Sequence, residues 1–551
     1  MFDKKVTSLM ENCSIENKFI KSGLILGSKT LSEEGAVKLS TTGNDFVDQF
    51  ASISKYKTPR SYYEVDKDMR LLWSQNPLLC LKLSVYIRMI TRTPTYISNK
   101  NKTKKFSIQK GQGLKNEGIM RIMWIAINYP KVFYKNITLF IAAGSWKDIV
   151  TMMNWDLQFN GWNNRVLPWN FLMQTIRAGL ICNETTHLVR KYLPTIRSNK
   201  KCTTLESQAD TLIGRYIAKN LFPKEDKITR YTEYRKLKSK GLAHKWQQQI
   251  SNQLYNAIDF NTIPGKALHL LVHSKFLNNH NLTDKYSEWI SNKKSVKYTG
   301  FVFEIFNDIN GNTEKHILDT ANAQFNKLLQ QCNAYSKLLP ILDKSGSMAS
   351  QCIGCNMTAY NVAKAMALYF SSCLTGQFTN VYGEFNNKCE LRKWKGETAT
   401  DKWINAGNNI AYGSTNFESV IDLLIEIKEA GVDESEFPEG ILCLSDGEYS
   451  DFNHRNETMF KVSINKLKLA GFSDEYVNNF KVILWDIPNY FYSSHPETKY
   501  ESYANCPNMF HMSGFDASII SFLLEGNINP CNSKELFLSC MNQELLNKLT
   551  I

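Results

Sequence analysis

No stretch of this 551-residue sequence approaches the roughly 20 consecutive apolar residues that a membrane-spanning helix requires. Its apolar runs, such as Ile122 to Ile127 and Val482 to Trp485, are far shorter, so no transmembrane helix is expected. Met1 to Thr30 lacks a continuous apolar core between charges, and no secretory signal is expected there. Proline is scarce, at 14 residues, while 43% of residues are hydrophobic and 12% aromatic; this excludes a disordered, collagenous or coiled-coil chain. Cysteine is present but not in order. Thirteen of them, an odd number, are scattered from Cys13 to Cys540, which argues against a disulfide framework and for idle or buried thiols in a reducing compartment. Cys352-x-x-Cys355 has no second ligand pair at zinc spacing, since Cys373 and Cys389 do not supply one.

What is abundant is positive charge, and it is unevenly placed. Residues 1–334 hold 49 Lys+Arg and 26 Asp+Glu, a balance of +23, whereas residues 335–551 hold the other 17 basic and 26 acidic residues, a balance of −9. A basic half joined to an acidic half is expected when one part meets a polyanion and the other does not. A basic solvated surface without a partner is the plainer alternative.

The two halves also differ in rhythm. In the first, apolar residues recur at three- and four-residue steps over Met69–Arg92, Gly118–Asn128, Tyr134–Ala143, Trp169–Ile181 and Gln247–Ile258, with short breaks at Pro94, Pro130 and Gly144. This predicts amphipathic helices stacked in antiparallel pairs, a degenerate helical repeat of HEAT-like kind. In the second, short apolar strands at Lys337–Leu342, Val381–Phe385, Gly440–Leu444 and Phe480–Trp485 alternate with helical stretches at Tyr360–Leu374, Phe417–Ala430 and Met459–Ala470. That alternation predicts an α/β doubly wound sheet. The expected organisation is an extension over 1–29, a helical-repeat domain over 30–334 and an α/β domain over 335–551.

Ligands of such sheets sit at the carboxyl ends of strands. There the sequence places Asp343-Lys-Ser345-Gly-Ser347, and downstream Thr415 before a helix and Asp446 after a strand. Carboxylates and hydroxyls in this number suit Mg²⁺ or Mn²⁺, with an open position for an acidic group from a partner. A helix-capping serine and turn carboxylates would give the same residues without a metal. Asp343-x-Ser345-x-Ser347, Thr415 and Ser445-Asp446-Gly447, in that order, resemble the metal-ion-dependent adhesion site of von Willebrand factor A domains.

Upstream, Thr30-Leu-Ser-Glu-Glu-Gly35, Ser40-Thr-Thr-Gly-Asn-Asp45, Asn76-Pro-Leu-Leu-Cys-Leu-Lys82, Gly111-Gln-Gly113 through Glu117 and Gly144-Ser-Trp-Lys-Asp148 resemble a family of cytoplasmic and viral proteins related to the Ro (TROVE) ribonucleoprotein. Tyr234-Arg235, Ile258-Asp259, Ile263-Pro264, Ile483-Leu-Trp-Asp486 and Ser513-Gly-Phe515 continue the resemblance over about residues 30 to 525. It implies a ring of helical repeats that binds small or misfolded RNA, closed by a von Willebrand A-like domain, in a cytoplasmic or virion setting.

Three clusters pair basic with aromatic residues, the combination used on single-stranded RNA. Lys100, Lys102, Lys104, Lys105 and Lys110 flank Phe106; Arg190, Lys191, Arg197, Lys200 and Lys201 flank Tyr192; Arg230, Arg235, Lys236, Lys238, Lys240 and Lys245 accompany Tyr231, Tyr234 and Trp246. A solvated helix face with the aromatics in the core explains each cluster equally well. Enzymatic chemistry finds little support. Gly111-x-Gly113-x4-Gly118 follows no strand and lacks the Gly-Lys-Ser/Thr of a phosphate loop, and His269 and His273 lack the glutamate of a zinc protease. Asp-x-Ser-x-Ser is not a hydrolase elbow. The expected function is therefore non-catalytic RNA binding with a metal docking site. The alternative is a metal-dependent protein scaffold or virion component whose metal takes a partner carboxylate; no membrane partner is expected.

Overall fold

Backbone contacts divide the chain into two units, one drawn from Arg60–Ile263 and Met541–Ile551, the other from Met1–Pro59 and Pro264–Cys540. The computed structural model describes residues 29–31, 37–39, 44–52, 61–97, 103–240, 245–298, 300–311, 313–330, 337–352, 357–411, 413–447, 459–487, 508–513 and 533–551.

The Arg60–Ile263 unit is built of helices. The apolar periodicity of 69–92 resolves into two helices, Tyr62–Gln75 and Pro77–Arg88, rather than one. Asn76 makes the break: it closes the first helix, and its side chain caps the second by accepting the Leu79 N–H at 2.9 Å, with Pro77 at the first helical position. Helices Lys115–Asn128, Pro130–Ala143, Trp146–Asn160, Trp169–Ile181, Thr186–Tyr192, Leu205–Leu221 and Lys227–Ser239 follow. The expected helix over 247–258 is shorter, Lys245–Ser251, and gives way to 3₁₀ turns at Tyr255–Ala257 and Phe260–Thr262. Residues near the other end of the chain return to this unit. Gln543 exchanges two hydrogen bonds with the Lys110 backbone at 2.7 and 2.8 Å, and Asn136 exchanges two with that of Thr550 at 2.6 and 3.0 Å.

Two small antiparallel ribbons precede the main sheet: β1 (Lys29–Leu31) with β2 (Val37–Leu39), and, inside the helical unit, β3 (Thr95–Ile97) with β4 (Thr103–Lys105). The other unit holds a six-stranded sheet of β5 (Leu338–Asp343), β6 (Val381–Phe385), β7 (Cys389–Lys393), β8 (Gly440–Ser445), β9 (Lys481–Asp486) and β10 (Met509–Ser513). The order is β10-β9-β8-β5-β6-β7, parallel except for the antiparallel edge strand β7. β5 and β8 are buried at every residue, which is why they read as continuous apolar runs. Helix Glu418–Glu429 packs on one face through Val420, Ile421 and Leu424 against Ile341, Ile441 and Cys443. Helix Ala359–Ser371, buried along nearly its whole length, covers the other face. The fold class expected from the sequence, a helical-repeat part followed by a doubly wound von Willebrand A-like part, is the one observed. β7 and β10 are strands that the sequence pattern did not mark.

The compositional cut at Ala334 and the contact boundary at Ile263–Pro264 do not coincide. The helices between them, such as Gly265–Val272 and Lys315–Leu329, group with the sheet. Asn322 exchanges hydrogen bonds with Thr400 at 2.9 and 3.0 Å, and Phe306 stacks on Trp403 at 4.8 Å.

Seven described cysteines, among them Cys80, Cys352 and Cys443, are free thiols. Burial pushes the Cys80 and Cys389 thiols up to about 12, so they are inert at neutral pH. Cys373 departs from the expectation of idle thiols, being disulfide-bonded. No helix among the described residues is long and apolar enough to cross a membrane.

Candidate functional site

β5 ends at Asp343, and the turn after it closes on the Asp343 carboxylate. Its Oδ1 accepts the Ser345 N–H at 2.8 Å, and the Ser345 and Ser347 hydroxyls lie 3.1 Å apart across the 3₁₀ turn Gly346–Ala349. Parallel pairing of Leu342 with Leu444 brings the end of β8 alongside, where the Ser445 hydroxyl donates to Asp343 Oδ2 at 2.6 Å and accepts the Gly447 N–H at 3.1 Å. Four of the five expected metal residues, Asp343, Ser345, Ser347 and Asp446, thus gather at the carboxyl ends of β5 and β8. This is where strand order reverses and such sheets bind ligands.

The fifth, Thr415, is buried on a loop fastened to the carboxyl end of β6. Ser414 N–H and hydroxyl donate to Asn387 Oδ1 at 2.7 and 2.6 Å, Asn416 N–H donates to the Asn386 carbonyl at 2.9 Å, and Ala411 N–H donates to the Lys344 carbonyl at 2.9 Å. Asn386 and Asn387 are therefore positioning residues that sequence reading did not single out; two asparagines directly after a strand were the available signal. Asp486 is a second omission. It ends β9 opposite Ser445, is buried, and its carboxylate lies 3.5 Å from where a side chain on Gly447 would begin. Gly447 itself sits at φ +87, a conformation that favours glycine.

Asp343 and Asp446 are both fully buried. Burial and then the neighbouring Asp446 push the Asp343 carboxyl well above the usual carboxylate range, against the hydrogen bonds from Ser445 and Ser345 that favour its charged form. Two hard carboxylates that repel each other beneath a set of hydroxyls fit a divalent cation of the Mg²⁺ or Mn²⁺ type. Among the described residues no group of three or more His, Cys, Asp or Glu side chains is gathered to hold a metal, so a cation here would rest on two carboxylates with hydroxyls and water.

The basic residues are dispersed over several elements. Lys104 and Lys105 project from β4 and are exposed, but Phe106 beside them is buried and stacks on Tyr96 at 4.8 Å. Lys110 anchors Gln543 through its backbone. Arg190 and Lys191 lie in the last turn of Thr186–Tyr192. On helix Lys227–Ser239, Arg235 and Lys236 are exposed, with Lys236 paired to Glu233 at 2.8 Å. Arg230 and Lys238 are structural: Arg230 donates to the carbonyls of Phe222 and Glu225 at 3.0 and 2.5 Å, and Lys238 donates to that of Leu193. Tyr234 is fully buried and bonds the Pro194 carbonyl at 2.8 Å. Lys100, Lys102 and the side chain of Lys245 lie outside the described residues. Of the aromatics that sequence reading paired with bases, Phe106 and Tyr234 are core, whereas Tyr192, Tyr231 and Trp246 are half-buried. Exposed rings occur instead at Tyr63, Phe159 and Trp162, the last with Arg165 stacked 4.2 Å above it.

Several residues of the motif segments have structural roles. Arg88 and Asp148 form a buried bidentate pair at 2.8 and 2.9 Å, and Asp148 also accepts the Ser145 N–H and hydroxyl, both at 3.0 Å. A side chain at Gly144 would start 2.0 Å from the Asp148 carboxylate. Arg121, fully buried, pairs with Glu117 at 2.8 Å.

Among solved structures, the chain is similar to the crystal structure of the Deinococcus radiodurans RO (RSR) protein, at 12% sequence identity, a TM-score of 0.42, and coverage of 91% of this chain and 99% of that one. No family model and no curated protein matches the sequence.

Proposed function

We propose that the protein binds small or misfolded single-stranded RNA through its helical unit, without catalysing a reaction on it. The observation that carries this reading is the charge of that unit: Arg60–Ile263 holds 33 Lys+Arg against 13 Asp+Glu, a balance of +20. Such an excess, on exposed lysines and arginines spread over several helices, attracts phosphate backbones with little dependence on sequence. The site at the ends of β5 and β8 has a separate role in this reading. Asp343, Ser345, Ser347, Thr415 and Asp446 hold Mg²⁺ or Mn²⁺, and the cation docks an acidic group of a protein partner.

Filter binding of a single-stranded RNA across a salt series tests the first part. Log affinity is expected to fall linearly with log salt, at roughly −0.7 per phosphate contacted; no binding at low salt, or affinity indifferent to salt, rejects it. The metal-dependent scaffold is the second reading, favoured by the buried carboxylate pair. It is the one supported if EDTA abolishes capture of a protein partner while the protein retains no RNA from lysate.

A further inference from the structure

The buried pair Arg88–Asp148 leaves part of the arginine over. Asp148 occupies Nε and Nη2, and Nη1 is buried with no hydrogen-bond partner, on a side chain only 3% exposed. A guanidinium nitrogen kept from water without an acceptor is costly, and its surroundings are cationic. Helix Lys115–Asn128 begins against the Arg88 backbone, so closely that a side chain on Gly118 would start 2.4 Å from Arg88 Cβ. That helix opens at Leu114 with no side-chain cap, and the first-turn amides of a helix have no partner within the helix itself. Helix Trp146–Asn160 begins on the other side, at the Asp148 end of the pair. Each helix carries a lysine in its first turn, Lys115 and Lys147, and neither lysine has an ion pair among the described residues. Partial burial and then the charge of Lys147 hold the Lys115 ammonium below the usual lysine range. The nearby carboxylates are Asp148, already saturated by Arg88 and Ser145, Glu206, and Glu117 in the same first turn as Lys115, which pairs with Arg121.

We infer that Arg88 Nη1, the open first turn of Lys115–Asn128, Lys115 and Lys147 form a binding site for one phosphate group. One uncapped helix start, two ammonium groups and an unsatisfied guanidinium nitrogen lie near one another, the start of Trp146–Asn160 being already closed by Ser145 and Asp148, and a tetrahedral oxyanion accepts from all of them. This deepens the RNA reading and rests on it for the identity of the ligand, an internal phosphodiester of a single strand. A terminal or free phosphate would offer the same chemistry.

The test uses the full chain and the double variant Lys115→Ala/Lys147→Ala, which leaves the Arg88–Asp148 pair in place, with the exposed pair Lys219→Ala/Lys224→Ala as a control of equal charge. Two probes are used: inorganic phosphate against chloride at equal ionic strength, read by thermal melting, and a single-stranded RNA with or without a 5′-phosphate, read by affinity across salt. Phosphate should raise the melting temperature of wild type and control but not of the Lys115/Lys147 variant. That variant should bind RNA roughly tenfold more weakly, with a salt slope shallower by about 0.7, the share of one phosphate. Dependence of the loss on the 5′-phosphate assigns the site to a chain end, independence to an internal phosphodiester. If wild type ignores RNA yet keeps the variant-sensitive phosphate shift, the site stands and the RNA reading falls. If wild type binds RNA and the variant matches it in affinity, slope and phosphate response, the site is overturned while the RNA reading stands.

Discussion

Asp148 in the helical unit and Asp343 in the α/β unit are both buried aspartates, and the protein satisfies them in opposite ways. Asp148 receives a full guanidinium fork and two Ser145 donors, so its charge is neutralised within the fold. Asp343 receives an amide and a hydroxyl, and its close charged neighbour is another aspartate. A carboxylate matched by a base is part of the scaffold, whereas one surrounded by dipoles and a like charge is poised for a cation from outside. The same division holds for the whole units: the helical unit carries the excess of positive charge, while the other unit holds 32 Lys+Arg against 38 Asp+Glu and gathers the buried Asp343, Asp446 and Asp486 at the carboxyl ends of its strands.

Substitutions at the two aspartates sharpen this contrast most. Asp148→Ala should destabilise the helical unit by about 3–5 kcal/mol, because it strands the buried Arg88 charge; urea denaturation followed by helical circular dichroism measures it, and a loss under about 1 kcal/mol would erase the distinction. Asp343→Asn should do the reverse in EDTA. Removing a charge that burial and Asp446 disfavour should leave stability equal or higher, while Mg²⁺ and Mn²⁺ binding by calorimetry disappears. Equal metal affinity in wild type and variant means that the site is misassigned.

A smaller effect separates the helices Gly265–Val272 and Lys315–Leu329 from the basic unit that precedes them. His269 and His273 lie with rings 4.3 Å apart; His269 bonds Gln324 at 3.1 Å and His273 faces Asp308 at 3.7 Å, with Glu304, Lys266 and His316 nearby. Burial, then the neighbouring His269, lowers His273 from 6.5 to about 4. The unfolded chain then binds more protons than the folded one between these values. Stability should therefore be full above pH 6.5 and fall on acidification toward pH 4, by about 3 kcal/mol from His273. His273→Gln should flatten that part of the pH profile of unfolding, and an unchanged profile assigns the acid sensitivity elsewhere. The smallest effect concerns helix Lys227–Ser239. Arg235→Ala with Lys236→Ala should weaken RNA binding only a few-fold, uniformly across sequences, with melting unchanged. Lys238→Ala should instead lower the melting temperature, since it loses the bond to the Leu193 carbonyl. Reversal of these two outcomes would make Lys238 a ligand contact and the exposed pair structural.

Much of the fold was legible because its signals are local. β5, β8 and β9 fall within a residue or two of the apolar runs that predicted them, and Asp343, Ser345, Ser347 and Asp446 meet because each sits a fixed step beyond a strand end. The helix break at Asn76-Pro77 was visible in the residues but masked by an apolar period that runs through it. β7 was not legible, since its residues Glu390, Leu391, Arg392 and Lys393 are exposed on an edge and alternate too weakly to stand out.

The sequence by itself determined the alternation of strands and helices, the order of the oxygen donors and the imbalance of charge, because these depend on spacing along the chain. Only the tertiary structure decided which charges are available. Arg230, Lys238 and Arg88 look like Arg235 and Lys236 in the sequence, yet the first three are committed to carbonyls or a carboxylate by residues between 5 and 60 positions away. The clustering of helices 265–329 with the sheet, and of Met541–Ile551 with the helical unit, likewise depends on side chains meeting across long separations. Burial and pairing are properties of neighbours in space, and residue order alone carries no record of them.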